Sequence, residues 1–449
     1  VFQSPVILPI VEPWQGLLIV PTLVAMLAAG LRLLSKAGVV PPESVRKGLH
    51  VGGGLIALSL PWLFDRVWPL AVLAGAGLVA LVAFNVRRRL AAPAGSLMAG
   101  VERAGEIYVG PVYFPLAVLV LFGLARSNVL LYLVPLLVLT FADAAGALVG
   151  VRYGTLKYEA TGGRKSVEGS TAFFLAAFFS AHVPLLLASD LGRAETLLIG
   201  LTFGLLLTMV EAVAWAGLDN LFLPLVGYLL LKTYVGLGVE PLVGRLAVTA
   251  LLAGIAWLAR GRAWNDAGLI LAILVGYTCA NLGGPEWLLV TILMFVGVAW
   301  LSPGREHAPV RTVREVGAVS AVGVIWVGVA HELRRPELLA AFSGSFAAHL
   351  AMIGIARPRG LPLVRRLLLP AAFGVLWILA PYVLIERGAP SAWTGAGGAA
   401  VGSAVAALLF ALALSGRERR FADAGRWWLQ AVLAAVASLG GLAVYLVPD

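Results

Sequence analysis

The 449 residues are 60% hydrophobic and only 12% charged, with a formal net charge of +10. Soluble domains are about a quarter charged, so this composition excludes a soluble globular protein and describes an integral membrane one. A single cysteine, Cys279, excludes an intramolecular disulfide and a cysteine-based metal cluster, and the five histidines are scattered without metal-ligand spacing.

Apolar runs long enough to cross a bilayer, or shorter where packed inside protein, predict up to sixteen spans. In the first half they fall near 13–34, 48–64, 67–84, 110–125, 129–149, 170–188, 195–216 and 222–239. The second half adds 243–259, 267–282, 285–301, 315–331, 337–355, 367–385, 397–415 and 427–447. The expected fold class is therefore all-α, a polytopic membrane bundle of about 14–16 transmembrane helices. The segment 240–266 interrupts the pattern and divides the chain into two fused modules, 1–240 and 260–449. The first apolar run has no basic stretch ahead of it, so it reads as a retained span and not a cleaved signal peptide.

Basic residues cluster between spans, which is a topology pattern and not a nucleic-acid footprint, so no nucleic-acid partner is expected. Most of them follow odd-numbered spans: Arg32, Lys36, Arg46 and Lys47; then Arg87 to Arg89 and Arg103; then Arg152, Lys157, Arg164 and Lys165. The alternation continues through Arg260, Arg305, Arg357 and Arg417. The positive-inside rule places these segments in the cytoplasm and both termini outside. The arginine-heavy composition fits a prokaryotic cell membrane.

Five polar constellations share that cytoplasmic side of the first module. In chain order, the first is Arg46 and Lys47 with His50, in PESVRKGLH. The second holds Glu102, Arg103, Gly105, Glu106 and Tyr108, in VERAGEIYVGPVYFP. The third is Asp143, inside a membrane-length apolar run, followed by Gly146, Gly150 and Gly154 at four-residue spacing. An intramembrane acid is a functional candidate by default, and glycines at helical spacing let a backbone or a ligand approach closely. The fourth is a basic, glycine-rich loop carrying Lys157, Gly162, Gly163, Arg164, Lys165 and Ser166, then Glu168, Gly169 and Ser170. The last is Glu211 with Asp219 and Asn220, in EAVAWAGLDNLFLP.

Phosphoryl transfer calls for this inventory: cations for the non-bridging oxygens, carboxylates for a divalent metal, and a base near the attacking hydroxyl. Mg²⁺ takes oxygen ligands and keeps waters, so one or two acids suffice. Each element also has a structural alternative. Arg46 and Lys47 can anchor a helix end at the interface, and Asp143 can pair with Arg152. Ser166 can cap the helix that follows, Glu211 can reach a span end, and His50 can be a satisfied polar residue of the bundle.

Residues from about 40 to 235 resemble the CTP-dependent polyprenol kinases, a family that includes dolichol, phytol and farnesol kinases. The matching pieces are RKGLH at 46–50, GEIYVGPVYF at 105–114, DAAGALVGVRYG at 143–154, GRKSVEGS at 163–170 and LDNLFLP at 218–224. The resemblance implies transfer of the γ-phosphate of CTP, with Mg²⁺, to a long-chain isoprenoid alcohol lying in the bilayer. It places Arg46, Lys47, Asp143 and Gly150 at positions needed for activity, and Lys165, Glu168 and Gly169 in the nucleotide loop. On this reading Asp143 holds the metal, with Asp219 or Glu211 assisting. Lys165, Arg46 and Lys47 neutralise the polyphosphate, while Gly146, Gly150 and Gly154 permit its close approach.

The second module more weakly resembles the phytyl-phosphate kinases, through GLILAILVGYTCANLGGPEWLL at 268–289, VRTVREVGAVSAVG at 310–323 and TGAGGAAVGSAVAAL at 394–408. His349, in AAHLAMIGIARP, stands where that family carries an aspartate, and no carboxylate replaces it nearby. This half is therefore expected to be a degenerate partner. The alternatives are a bifunctional kinase making the diphosphate, a cytidylyltransferase acting on a lipid phosphate, and a lipid or anion transporter. Acceptor identity, CTP against another nucleotide, and oligomeric state stay open at this level.

Overall fold

The computed structural model describes residues 9–39, 41–90, 110–126, 128–161, 163–215, 217–259, 265–301, 312–356, 363–414 and 423–446. The chain divides into two compact units, Val1–Leu246 and Ala247–Asp449. Both are helical. Among the described residues ten helices are long and apolar enough to cross a membrane, and four more are apolar but shorter. The protein is an all-α polytopic membrane bundle.

Unit 1 begins with α1 (Pro13–Lys36), α2 (Pro42–Leu58), the single turn α3 (Leu60–Leu63), α4 (Val67–Leu90) and α5 (Gly110–Leu124). Next come α6 (Val129–Leu137), a π-helical turn (Val138–Ala142) and α7 (Asp143–Tyr153), which run on as one 25-residue apolar rod. Asn128 starts this rod, accepting hydrogen bonds from the amides of Leu130 (3.0 Å) and Leu131 (3.3 Å), as an N-cap asparagine does. A two-stranded antiparallel hairpin follows, β1 (Lys157–Ala160) with β2 (Gly163–Ser166), in register Lys157↔Ser166 through Ala160↔Gly163. The segment expected to be an open loop is thus a hairpin. The second strand opens on Gly163 at φ +123°, which uses the conformational freedom of glycine.

The unit closes with α8 (Val167–Ala188), α9 (Arg193–Val213) and α10 (Asp219–Tyr234); α11 (Val239–Ala259) carries the chain across the division between units. Two spans read from the sequence are cut short. The run at 48–64 is α2 plus the turn α3, because Arg46 and Lys47 occupy its start and the helix breaks at Ser59. The run at 222–239 is the 16-residue α10, bounded by Asp219 and Lys232. Neither is among the fourteen membrane-length or shorter apolar helices, since their charged ends leave too little apolar length.

Long-range ties join the helices of unit 1. The Tyr132 hydroxyl donates to the carbonyl of Ala57 (2.7 Å), and Tyr228 donates to that of Leu124 (3.0 Å). α7 and α8 approach one another closely. A Cβ on Gly169 would lie 2.8 Å from the Gly146 carbonyl oxygen and 3.0 Å from Gly150 Cα. Gly146, Gly150 and Gly169 therefore let the two backbones touch, the small-residue packing that helices in lipid rely on.

Unit 2 is built around α15 (Leu339–Ile355). Before it come α12 (Asp266–Leu282), α13 (Pro285–Trp300), α14 (Val313–Leu333) and a 3₁₀ turn (Pro336–Leu338). After it follow α16 (Leu363–Ile385), α17 (Pro390–Leu414), α18 (Asp423–Ser438) and a 3₁₀ segment (Leu439–Leu446). Every residue of α15 is buried. Such a helix, apolar all round, belongs at the centre of a bundle. Phe342 packs its ring 4.7 Å from that of Trp287 on α13 and 4.7 Å from that of Phe346. Trp326 on α14 donates to Ser438 Oγ on α18 (2.8 Å), and Trp377 on α16 donates to the Leu293 carbonyl on α13 (2.8 Å).

The α7–α8 crossing makes a stability prediction. Gly169→Ala forces the two backbones apart and should cost about 1–3 kcal/mol, read as a lowered thermal midpoint of the detergent-solubilised protein. An unchanged midpoint would show that the crossing is looser than the backbone contacts indicate.

Candidate active site

The site of unit 1 draws side chains from α2, the start of α7, the hairpin and the α9–α10 connection. Asp143 is the first residue of α7, half-buried, with 28% of its side chain exposed. Its Oδ2 lies 3.4 Å from Nε2 of His50 on α2, and the same Nε2 is 2.9 Å from the Leu139 carbonyl inside the π-turn. Arg152, the alternative partner read from the sequence, is exposed, with its guanidinium 5.4 Å from the ring of Tyr153. Arg46 lies one turn before His50 on the same face of α2, and Lys47 follows it; both are half-buried.

The hairpin brings the second group. Lys165 Nζ, from β2, is 2.5 Å from Glu211 Oε1 and donates as well to the Glu211 main-chain carbonyl near the end of α9. Glu211 and Asp219 both feel the charges of Asp143 and Lys165, and Asp219 also feels His50. Three carboxylates thus share one electrostatic neighbourhood with one lysine and one histidine. The link after α9 turns at Gly217 (φ +81°), and the Asp219 carboxylate accepts from the amide of Asn220 (3.0 Å). Asn220 Nδ2 in turn donates to the Gly217 carbonyl (3.2 Å). Asn220 is therefore occupied in shaping this corner.

The remaining residues of the motif have structural tasks that the sequence left undivided. Ser166 caps α8 by accepting from the amide of Gly169 (3.1 Å). One oxygen of Glu168 accepts from the amides of Thr155 (3.0 Å) and Leu156 (3.1 Å) and from the Thr155 hydroxyl. Its other oxygen is buried without a hydrogen-bond partner among the described residues. Ser170 pairs with the Tyr158 hydroxyl at 2.8 Å. Lys157 sits beside Gly154, where a Cβ would come within 2.7 Å of its Nζ. Arg164 is exposed on β2, opposite Glu159. Gly146 and Gly150 face α8, so the close approach observed there is that of a helix backbone.

Glu106 and its neighbours Glu102, Arg103, Gly105 and Tyr108, together with Gly162, lie outside the described residues. In unit 2, His349 is fully buried in α15, and neither ring nitrogen has a partner among the described residues.

Sequence reasoning missed Thr155, Leu139, Thr140 and Gly54. Thr155 holds Glu168, and Leu139 offers its carbonyl to His50. Gly54 closes against Thr140 so tightly that a Cβ would lie 2.2 Å from Thr140 Oγ1. Gly54 carried one readable signal, its place one turn beyond His50 on the same helical stripe. Nothing local marks Leu139, because a backbone carbonyl has no sequence signature.

Among the described residues no group of three or more His, Cys, Asp or Glu side chains is gathered as a metal site. The donor set nonetheless suits Mg²⁺, which binds through one or two carboxylates and completes its shell with water and phosphate oxygens.

The chain is 27% identical over 226 residues to a phytol kinase from Synechocystis sp., a match covering 50% of this chain and 91% of that protein. No family model matches the chain, and no solved structure matches it.

Lys165 and Glu211 keep 27% and 17% of their side-chain surface exposed, so each depends on the other for charge compensation. Lys165→Met strands Glu211 and should cost about 3 kcal/mol, whereas the Lys165→Met/Glu211→Gln pair should recover about 1–3 kcal/mol through coupling. A thermal-unfolding double-mutant cycle measures this, and strictly additive effects would dismiss the pair as a stabilising unit.

Proposed function

We propose that unit 1 is a membrane kinase that transfers a phosphoryl group from a nucleoside triphosphate, CTP, to a long-chain isoprenoid alcohol. The observation that carries this reading is the pairing of Asp143 with His50 and of Glu211 with Lys165 within an apolar bundle, with the Asp143 charge acting on Glu211 and Asp219. Similarity to a phytol kinase supports it. A triphosphate needs cations and metal-binding oxygens, while an isoprenoid chain needs apolar helices, and this arrangement offers both.

Asp143 and Asp219 are the residues that would hold Mg²⁺, and the metal, when bound, would neutralise charge on the phosphate oxygens. Arg46, Lys47 and Lys165 supply the protein's own cations for the non-bridging oxygens. Lys165 already carries an ion pair with Glu211, which fixes its ammonium near the carboxylates and away from lipid. The hydroxyl oxygen of the alcohol attacks the γ-phosphorus, and the bond from that phosphorus to the β–γ bridging oxygen breaks. The nucleoside diphosphate departs, and the hydroxyl proton passes to a carboxylate of the cluster. The products are the prenyl monophosphate and CDP.

Positive-inside bias puts this end of unit 1 on the cytoplasmic face, where the nucleotide arrives from water and the hydroxyl lies at headgroup level. Residues 260–449 we read as a partner without phosphotransferase chemistry of its own, since His349 is sealed inside α15 with no acid in its place.

Purified protein incubated with CTP, Mg²⁺ and prenyl alcohols should yield the monophosphate and CDP in equal amounts. Release of pyrophosphate would point instead to nucleotidyl transfer. Asp143→Asn should lower turnover by about 100-fold or more with the thermal midpoint preserved. Wild-type turnover in that variant would remove Asp143 from the chemistry.

A further inference from the structure

We propose that His50 is a positioning residue, one that clamps the π-helical turn and thereby holds Asp143 in place. Its catalytic consequence rests on the kinase reading above; its structural part does not.

The argument begins with the turn. A π-helical turn accommodates one extra residue in a helix and occurs mostly as a single-turn bulge. Reversion to continuous α-helix would remove that extra residue and rotate everything downstream by about 100° relative to α6. Here both sides of the turn are pinned. Upstream, the Tyr132 hydroxyl ties α6 to α2. Downstream, Gly146 and Gly150 are pressed onto Gly169 of α8. The turn at Val138–Ala142 reconciles these two packing faces, and Asp143 is the first residue beyond it.

Two successive turns of α2 close on this segment. His50 Nε2 lies 2.9 Å from the Leu139 carbonyl, which only accepts, so Nε2 carries the proton. The same nitrogen lies 3.4 Å from Asp143 Oδ2, within ion-pair distance of a protonated ring. One imidazole nitrogen therefore holds the turn at Leu139 and lies beside Asp143, the first residue past it. One turn further along α2, Gly54 seats against Thr140, whose buried hydroxyl has no partner among the described residues. Nothing larger than glycine fits there, so α2 approaches close enough for His50 to reach. The charged neighbours of His50 are Asp143 and Asp219, with Lys165 acting on the same carboxylates.

A histidine that merely fills space would be replaceable by any residue of similar volume. A clamp acting through Nε2–H would be replaceable by glutamine, whose Nε2 offers an N–H at comparable reach. It would not be replaceable by the shorter asparagine or by alanine. Full-length protein in detergent or nanodiscs, assayed with CTP, Mg²⁺ and a prenyl alcohol, distinguishes these roles when hydrogen exchange of amides 138–144 is followed in parallel. For His50→Ala and His50→Asn we expect exchange of that segment to rise about tenfold. The kcat of both variants should fall about 100-fold, with KM for CTP and alcohol within about threefold. His50→Gln should restore wild-type exchange and most of kcat.

Unchanged exchange in His50→Ala overturns the clamp, whatever the activity. A His50→Gln variant as impaired as His50→Ala overturns it too. If His50→Ala fails to fold, the contrast between Gln and Asn decides alone. Absence of kinase turnover in the wild type would defeat the kinase reading, and the exchange data would still judge the clamp.

Discussion

A carboxylate placed among apolar helices must find an opposing charge or hydrogen-bond donors, because bulk water is not at hand to solvate it. Unit 1 is arranged around that demand. Asp143 lies 3.4 Å from Nε2 of His50, and Glu211 meets Lys165. Asp219 accepts from an amide of its own helix start, and one oxygen of Glu168 gathers three donors from residues 155 and 156. Asp143 and Glu211 are answered by residues distant in the chain, Asp219 and Glu168 by nearer ones. The two distant pairs tie α2 to α7 and the hairpin to α9.

Small residues make close approach sterically possible. Gly54 admits α2 to the π-turn, and Gly146, Gly150 and Gly169 let α7 and α8 touch along their backbones. In lipid, packing of this kind replaces the hydrophobic drive that associates helices in water. The π-turn lets one continuous rod serve both contacts, and its exit places a carboxylate at the start of α7. The same features that stabilise the bundle thus aim its polar groups.

Unit 2 uses the same materials differently. Its central helix α15 is buried on every side and carries His349 where neither ring nitrogen finds a partner among the described residues. Aromatic contacts around Phe342 and tryptophan donors to Ser438 and Leu293 hold the surrounding helices. The His349 ring nitrogens stay unpaired among the described residues at the centre of the unit, whereas Asp143 and Glu211 of unit 1 are answered by His50 and Lys165. Packing dominates there, and polar chemistry is concentrated in unit 1.

Composition alone determined the membrane class, and periodic apolar runs placed most helices, because bilayer thickness imposes a minimum length that any sequence must display. Asp143, Lys165, Glu211 and Asp219 were also legible, since a charge inside or beside an apolar run stands out in one dimension. Their pairing was not. The partner of Asp143 is 93 residues away on α2 and not Arg152 nearby, and the partner of Lys165 is 46 residues on, in α9. Residues 157–166 read as a loop, yet their cross-strand register makes a hairpin. The division of labour among Ser166, Glu168 and Ser170 between capping and bracing likewise emerged only in three dimensions. Sequence determines which groups are too costly to leave alone; tertiary structure decides which of them meet, because hydrogen bonds and ion pairs act over a few ångströms of space and not along the chain.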